Sequence, residues 1–382
     1  MRTSRNDPAA PLVAGHPGEL LRAPGEVASP VLRVVLERAA AGSRPGARED
    51  GHVVCLAIEG GGMRGAVTAG MSVLLEWAGL VAAFDRVYGV SSGALNGMAA
   101  TLGQAALSVT HYEDAARRHV IRRARPLLGR PVVDFDLLFE EVITARKPLS
   151  GAGGAPGPDF RALAVSLETL DLRVLAGLEN PVDALQAVRA SAALPRLGGR
   201  APRFRGERMA DGGLFEPIPY VSALEQGATH VLVLRSRAAD FRVPAMRDLG
   251  ESLALRDHPG LVQVLRSARG VYNRMAGDLE AGRAGAAHGA VVDQVTVAPG
   301  ARLPARLDTR AGRVSDGARL GAGAMAAAVL TGAIDLCWQP VVYRADPLPA
   351  PAPLPAPRSD PVAGRVRRGA AVVRRRRAEA AA

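Results

Sequence analysis

The five residues Gly89-Val90-Ser91-Ser92-Gly93 fit G-x-S-x-G, a pattern that places a serine on a sharp strand-to-helix turn with its hydroxyl above a sheet. The context matches. Arg86 to Val90 (RVYGV) reads as a short strand and Ala94 to Leu102 as the start of a helix. Gly89 and Gly93 let the backbone turn without a side-chain clash. Ser91 is therefore the candidate nucleophile. Ser92 is a rival hydroxyl, but one step into the helix it should point elsewhere. A chance match is the competing reading in a chain with 43 glycines, and the strand-to-helix junction argues against it.

Glu59-Gly60-Gly61-Gly62-Met63-Arg64-Gly65 ends the preceding apolar run, Val53 to Ile58, and opens the helical pattern AVTAGMSVLLEWAGL. Acyl transfer needs donors aimed at an oxygen that gains negative charge, and a glycine run entering a helix supplies unhindered N–H groups and the positive end of a helix dipole. Gly60, Gly62 and Gly65 also satisfy G-x-G-x-x-G, the dinucleotide fingerprint, which requires an acid at the far end of the second strand. Asp85 lies at its near end and Ser91 at its far end, so an oxyanion loop is favoured.

A serine hydroxyl needs a base to become a nucleophile. Asp211, in ADGGLFEPIP, is one candidate, with a plain Asp-Gly turn as the competing reading. A histidine after Asp211 is the other: His230, His258 or His288 would complete the Ser, Asp, His chain order of ordinary α/β-hydrolases. None of the three has a telling context.

The elements that must position these residues follow from periodicity. Strand, glycine turn and helix repeat twice between Val53 and Leu102, which predicts a parallel α/β sheet. Residues 104–147 read as mostly helical, and 150–158 as a Gly/Pro loop. ALAVSLETL and DLRVLAG suggest two adjoining strands. Asp183 to Leu194 reads as a helix stopped by Pro195, and THVLVLRSR from Thr229 as a buried strand. A helical stretch to about Ala287, a strand at Ala290 to Val297 and an Ala-rich helix follow. The domain division is a loosely attached leader over 1–48 with one helix at Pro30 to Ala41, a folded body over 49–343, and a Pro-rich spacer with an Arg-rich tail over 344–382.

At 382 residues, 48% hydrophobic and 22% charged, the chain is sized for an enzyme-scale core and is neither a disordered nor a polytopic membrane composition. Cys55 and Cys337 are too few for a disulfide framework or a cysteine-built zinc site, which points to a reducing compartment. No metal or cofactor is expected. No secretory signal is legible. The longest apolar run, Leu320 to Ile334, is short for the roughly 20 residues of a bilayer span and reads as a buried core helix. Residues 358–382 hold eight arginines against Asp360 and Glu379, so +6 of the formal +11 sits in the tail. The basic balance is weak evidence for nucleic acid, and none is expected as a partner.

GGGMRG, GVSSG and DGG occur in the order, and with the chemistry, of the patatin-like phospholipase family, and AVRASAALPRL with MADGGLFEPIP resembles that family's alanine-serine helix and proline-containing stretch. The chain resembles the family strongly over about 52–237 and weakly to about 340. The resemblance implies a three-layer α/β/α sandwich with a mostly parallel sheet, and a Ser-Asp dyad without histidine that hydrolyses acyl esters of lipids as a phospholipase A or lysophospholipase. Carried over by position, Ser91 attacks the ester carbonyl and Asp211 takes its proton. The Gly61 and Gly62 amides, with Gly60, hold the oxyanion. Arg64, with Gly65, supports that loop or meets an anionic head group. An ordinary Ser-Asp-His esterase and a non-catalytic lipid-binding or scaffold protein are the alternatives. The expected partner is a lipid or other acyl ester, and the expected location cytoplasmic or peripheral to a membrane. For the tail, a solvated segment, an anchor to anionic membrane and a nucleic-acid contact compete.

Overall fold

The computed structural model describes residues 17–149, 157–178, 180–194, 197–244 and 259–331. The spacer and tail, residues 1–16, Pro195, His258 and the end of the apolar run beyond Thr331 lie outside the described residues. The helices are α1 (Pro17–Leu20), α2 (Pro30–Ala40), α3 (Ala66–Trp77), α4 (Ser92–Thr101), α5 (Ala105–Arg117), α6 (Pro181–Ala192), α7 (Val221–Glu225), α8 (Pro259–Glu280) and α9 (Ala311–Val329). The strands are β1 (Val54–Ile58), β2 (Arg86–Val90), β3 (Asp159–Ser166), β4 (Leu172–Leu175), β5 (Arg203–Phe204), β6 (Glu207–Asp211), β7 (His230–Leu234) and β8 (Val291–Val295).

They form one eight-stranded mixed sheet in the order β5-β6-β3-β2-β1-β7-β8, with β4 pairing to β3. β3, β2, β1, β7 and β8 run parallel, and the pairs β3–β4, β3–β6 and β5–β6 are antiparallel. Every residue of β1 is buried, as a central strand covered on both faces requires. Its side chains divide between two layers. Val54, Leu56 and Ile58 join the core shared with α2 to α6 and α9, while Cys55 and Ala57 join the core shared with α7 and α8. Helices thus cover both faces of the sheet, the three-layer arrangement expected for strands alternating with helices.

The described part of the Ala-rich run begins within α9, which packs its backbone directly on α3. A Cβ at Gly70 would lie 1.8 Å from the Ala318 carbonyl, and one at Gly321 would lie 1.9 Å from the Val67 carbonyl. No helix among the described residues is long and apolar enough to cross a membrane.

One expectation changes. Over residues 17–48 the leader is not loose, because α2 buries Val31, Leu32, Val35 and Leu36 in the main core. Spacings of one, three and four make one apolar stripe on a helix. Arg38 then anchors that helix. At 2% exposure all five of its N–H donors find acceptors: Asp50 twice (2.6 and 2.8 Å), Asp85 (2.9 Å), and the carbonyls of Ala83 (2.9 Å) and His52 (2.8 Å). Residues 104–147 are mostly helical, as expected: α5 is followed by a 3-10 turn at Arg125–Leu128 and a π-helix at Leu137–Arg146, with irregular chain through Gly129 and Pro131 between them.

Candidate active site

Ser91 follows β2 and caps α4 with φ 55° and ψ −127°, one of four non-glycine residues at positive φ among those described. A side chain held there is strained, and it persists only where its surroundings over-determine it. The surroundings are glycine contacts. A Cβ at Gly89 would lie 2.5 Å from the Ala94 Cα, and one at Gly93 would lie 2.3 Å from the Ile58 carbonyl oxygen. The G-x-S-x-G glycines are therefore demanded by α4 folding back tightly on β2 and β1. The Ser91 N–H donates to Ser191 Oγ (2.9 Å), and that hydroxyl donates to the Leu163 carbonyl (2.5 Å). Ser191, on α6, is a residue sequence reasoning named only as part of ASA; its role as a tie between elbow and sheet is a tertiary one.

Asp211 ends β6, is 4% exposed, and accepts the Gly213 N–H on Oδ1 (2.8 Å). The sheet explains its position. β2 pairs with β3 up to Val90–Leu163, and β6 pairs with β3 through Ala164–Asp211. β4 overlaps both registers on β3, at Ala162–Val165, so β2 and β6 must share the opposite edge, one taking over where the other ends. Ser91 and Asp211 accordingly line one pocket. Its remaining wall is mostly apolar, including Leu95, Ile121, Val133, Phe139, Val188 and Leu307.

The glycine loop lies against the elbow: a Cβ at Gly60 would lie 2.5 Å from the Val90 carbonyl oxygen and 2.9 Å from Ser91 Cβ. Of the three glycines, Gly62 lines the pocket. The Gly61 N–H donates to Ser92 Oγ (2.9 Å), so the second serine of the motif holds the loop to the helix. The Met63 N–H donates to the Arg306 carbonyl (3.0 Å), which seats the 305–308 turn beside the loop. Gly65 lies where a Cβ would be 2.5 Å from both Ser92 Oγ and Tyr112 Oη.

Beneath the loop is a buried polar cluster. Glu59 accepts from Arg235 Nε (3.0 Å), the Ser236 N–H (2.8 Å) and Tyr272 Oη (3.1 Å). Ser236 Oγ donates to the Gly60 carbonyl (2.9 Å), and Arg64 Nε reaches that same hydroxyl at 3.5 Å. Arg64 is buried, and it lines no part of the pocket among the described residues. Desolvation, with Arg237 adding repulsion, pushes its guanidinium down to about 9. These contacts brace the loop. Glu59 and Arg235 are 176 positions apart, and only the adjacency of β1 and β7 reveals the pair.

Of the three candidate histidines, His258 lies outside the described residues and the other two fall away from the pocket. His230 begins β7 opposite Val54, at the amino end of the strands and thus the other end of the sheet from Ser91, in edge contact with His52. His288 precedes β8 at that same end. His111, on α5, does line the pocket. It is fully buried, its Nε2 lies 2.9 Å from the Lys147 carbonyl, and burial pushes it down to about 4, so the ring is neutral with Nε2 as the donor. A histidine within the helical stretch LSVTHY was its only sequence signal. Among the described residues no group of three or more His, Cys, Asp or Glu is arranged to hold a metal ion.

Residues 56–224 match the family model described as patatin-like phospholipase. An uncharacterized Escherichia coli K12 protein, YjjU, is 29% identical over 191 residues, covering 48% of this chain and 52% of that protein, so the chain spans about half the length of that relative. Among solved structures, VipD from Legionella pneumophila aligns over 73% of this chain and 67% of its own at 13% identity and a TM-score of 0.33. Human group IVD cytosolic phospholipase A2, crystallised with a fluorophosphonate inhibitor, aligns over 39% and 26% at 19% identity and a TM-score of 0.24. Those two scores are too low to inform the chemistry of this chain. The matched segment 56–224 holds the glycine loop, the elbow and Asp211 together, and over it the chain is similar to the patatin-like phospholipase family.

Proposed function

We propose that this chain is a serine acyl hydrolase that cleaves carboxylic esters of lipids, of the phospholipase A or lysophospholipase type, through a Ser91-Asp211 dyad. The observation that carries the reading is the meeting of a positive-φ serine and a buried aspartate on one mostly apolar pocket. An apolar wall suits an acyl chain, and Ser91 and Asp211 supply polar groups to it.

In this reading Ser91 Oγ attacks the ester carbonyl carbon and its proton passes to Asp211. The carbonyl oxygen, now negative, is held by backbone N–H groups of the Gly60–Gly62 loop. Gly62 is the one beside the pocket, and the Gly61 amide joins by exchanging Ser92 Oγ for the oxyanion. Asp211 returns the proton to the departing alkoxide, leaving an acyl ester on Ser91. Water then attacks that ester, gives its proton to Asp211, and the acid leaves as Ser91 recovers its proton. Arg64 and Ser236 brace the glycine loop. The position of His230 and His288 at the opposite end of the sheet supports a base other than either.

The test is labelling by a fluorophosphonate probe, followed by rates on p-nitrophenyl esters of rising chain length and on phospholipids. Labelling at Ser91 with ester turnover supports the reading. A folded protein that neither labels nor turns over any ester overturns it.

A further inference from the structure

Residues 117–130, RRHVIRRARPLLGR, contain six arginines and no acidic residue. At the far end of this stretch Leu127 and Leu128 are 88% and 79% exposed, more than any other large apolar side chain described. Scattered exposed leucines need no explanation, but an adjacent pair this bare, in a segment with one sign of charge, does. Arg118 and Arg125 are partnered by Glu141 (3.5 Å) and Asp134 (3.3 Å), while Arg122, Arg123 and Arg130 are exposed on the same segment.

The base of the loop is fastened. Ile121 and Val133 form an antiparallel bridge, with the Arg122 N–H donating to the Val132 carbonyl (2.9 Å) and the Asp134 N–H to the Val120 carbonyl (2.9 Å). Ile121 and Val133 are also pocket wall, so the projecting leucines and the Ser91 pocket are joined through two side chains.

We propose that loop 122–132 is the docking element that seats this chain on an anionic lipid surface, with Leu127 and Leu128 entering the acyl boundary and Arg122, Arg123 and Arg130 meeting lipid phosphates. Apolar tips with cationic rims are what an interface of that kind selects, since each half satisfies one layer of the bilayer edge. A nucleic acid would use the arginines but give two bare leucines no partner. Docking there brings the pocket wall to the surface that holds the substrate. This inference rests on the lipid hydrolase reading for its purpose, although the binding itself is separable.

The test uses the full-length protein and non-hydrolysable diether lipids, so that binding is read without turnover. Wild type should sediment with diether phosphatidylglycerol vesicles and bind diether phosphatidylcholine at least tenfold more weakly. Both Leu127→Asp/Leu128→Asp and Arg122→Glu/Arg123→Glu should weaken binding to the anionic vesicles at least tenfold while hydrolysis of a soluble p-nitrophenyl ester stays within about twofold. In a Leu128→Trp variant, the added indole emission should shift to the blue when anionic vesicles are added. Equal binding by wild type and the aspartate variant, an unshifted indole, or a preference for duplex DNA over the vesicles would each overturn the docking role. Failure of fluorophosphonate labelling with vesicle binding intact would instead overturn the hydrolase reading alone.

Discussion

Ser91 and Asp211 reach one pocket through consecutive residues of a third strand: Val90, just before Ser91, pairs with Leu163, and Asp211 pairs with Ala164. The parallel strand β2 leaves the edge of β3 at that point and the antiparallel strand β6 takes it over. Two side chains 120 positions apart in sequence are thus set by one backbone register, not by flexible loops.

Ser91→Ala should abolish fluorophosphonate labelling and lower ester turnover by about three to six orders of magnitude, as loss of an activated nucleophile does elsewhere. Ser92→Ala removes the Gly61 anchor and should cost about ten- to a hundredfold while labelling persists. Mass spectrometry of the labelled peptide decides between the two serines, and labelling that survives Ser91→Ala refutes the assignment.

Asp211→Asn keeps shape and the Gly213 contact but cannot take a proton, so turnover should fall at least a thousandfold with the melting temperature nearly unchanged. His230→Ala, His258→Ala and His288→Ala should each stay active. A folded but dead member of that set would make the chain an ordinary triad hydrolase.

Ser191 is a positioning residue, since its hydroxyl joins the Ser91 N–H to the Leu163 carbonyl. Ser191→Ala leaves both groups short of a partner. It should lower kcat about ten- to a hundredfold with little change in KM, and Ser191→Thr should recover part of that loss. Equal effects on kcat and KM would show a general disturbance of the pocket instead.

The Arg235–Glu59 ion pair is buried at 0% and 3% side-chain exposure, so removing one partner strands the other charge. Arg235→Ala should destabilise the fold by about 3–5 kcal/mol, read as a fall in the urea midpoint. A shift below about 1 kcal/mol would mean that water reaches Glu59 once the arginine is gone.

Hydrogen bonds from Arg310 hold the Asp308 carboxyl down to about 2, below its value in an unfolded chain of about 3.9. A depressed folded value stabilises above the unfolded one and is lost as pH falls through the folded one, which sets the window from about 4 to 2. Arg310→Ala should raise the acid-unfolding midpoint and loosen the turn whose Arg306 carbonyl accepts the Met63 N–H. An unchanged acid midpoint would remove Asp308 from that role.

The strand-to-helix turn at Ser91 and the glycine loop were legible in sequence because their demands are local: a serine at positive φ between two close backbone contacts needs glycine on both sides. The repeat of strand, turn and helix likewise announced a mostly parallel sheet, since central strands are apolar on both faces. The α2 stripe of Val31, Leu32, Val35 and Leu36 was also readable, yet the Pro- and Gly-rich residues around it disguised a core helix as a loose leader. What only the tertiary structure decided are relations between segments far apart in sequence. These include the succession of β2 and β6 along β3, the Glu59–Arg235 pair across β1 and β7, the Ser191 tie and the projection of Leu127 and Leu128 beside the pocket. Propensity and periodicity act over a few residues, whereas register and burial are set by which strands and helices become neighbours.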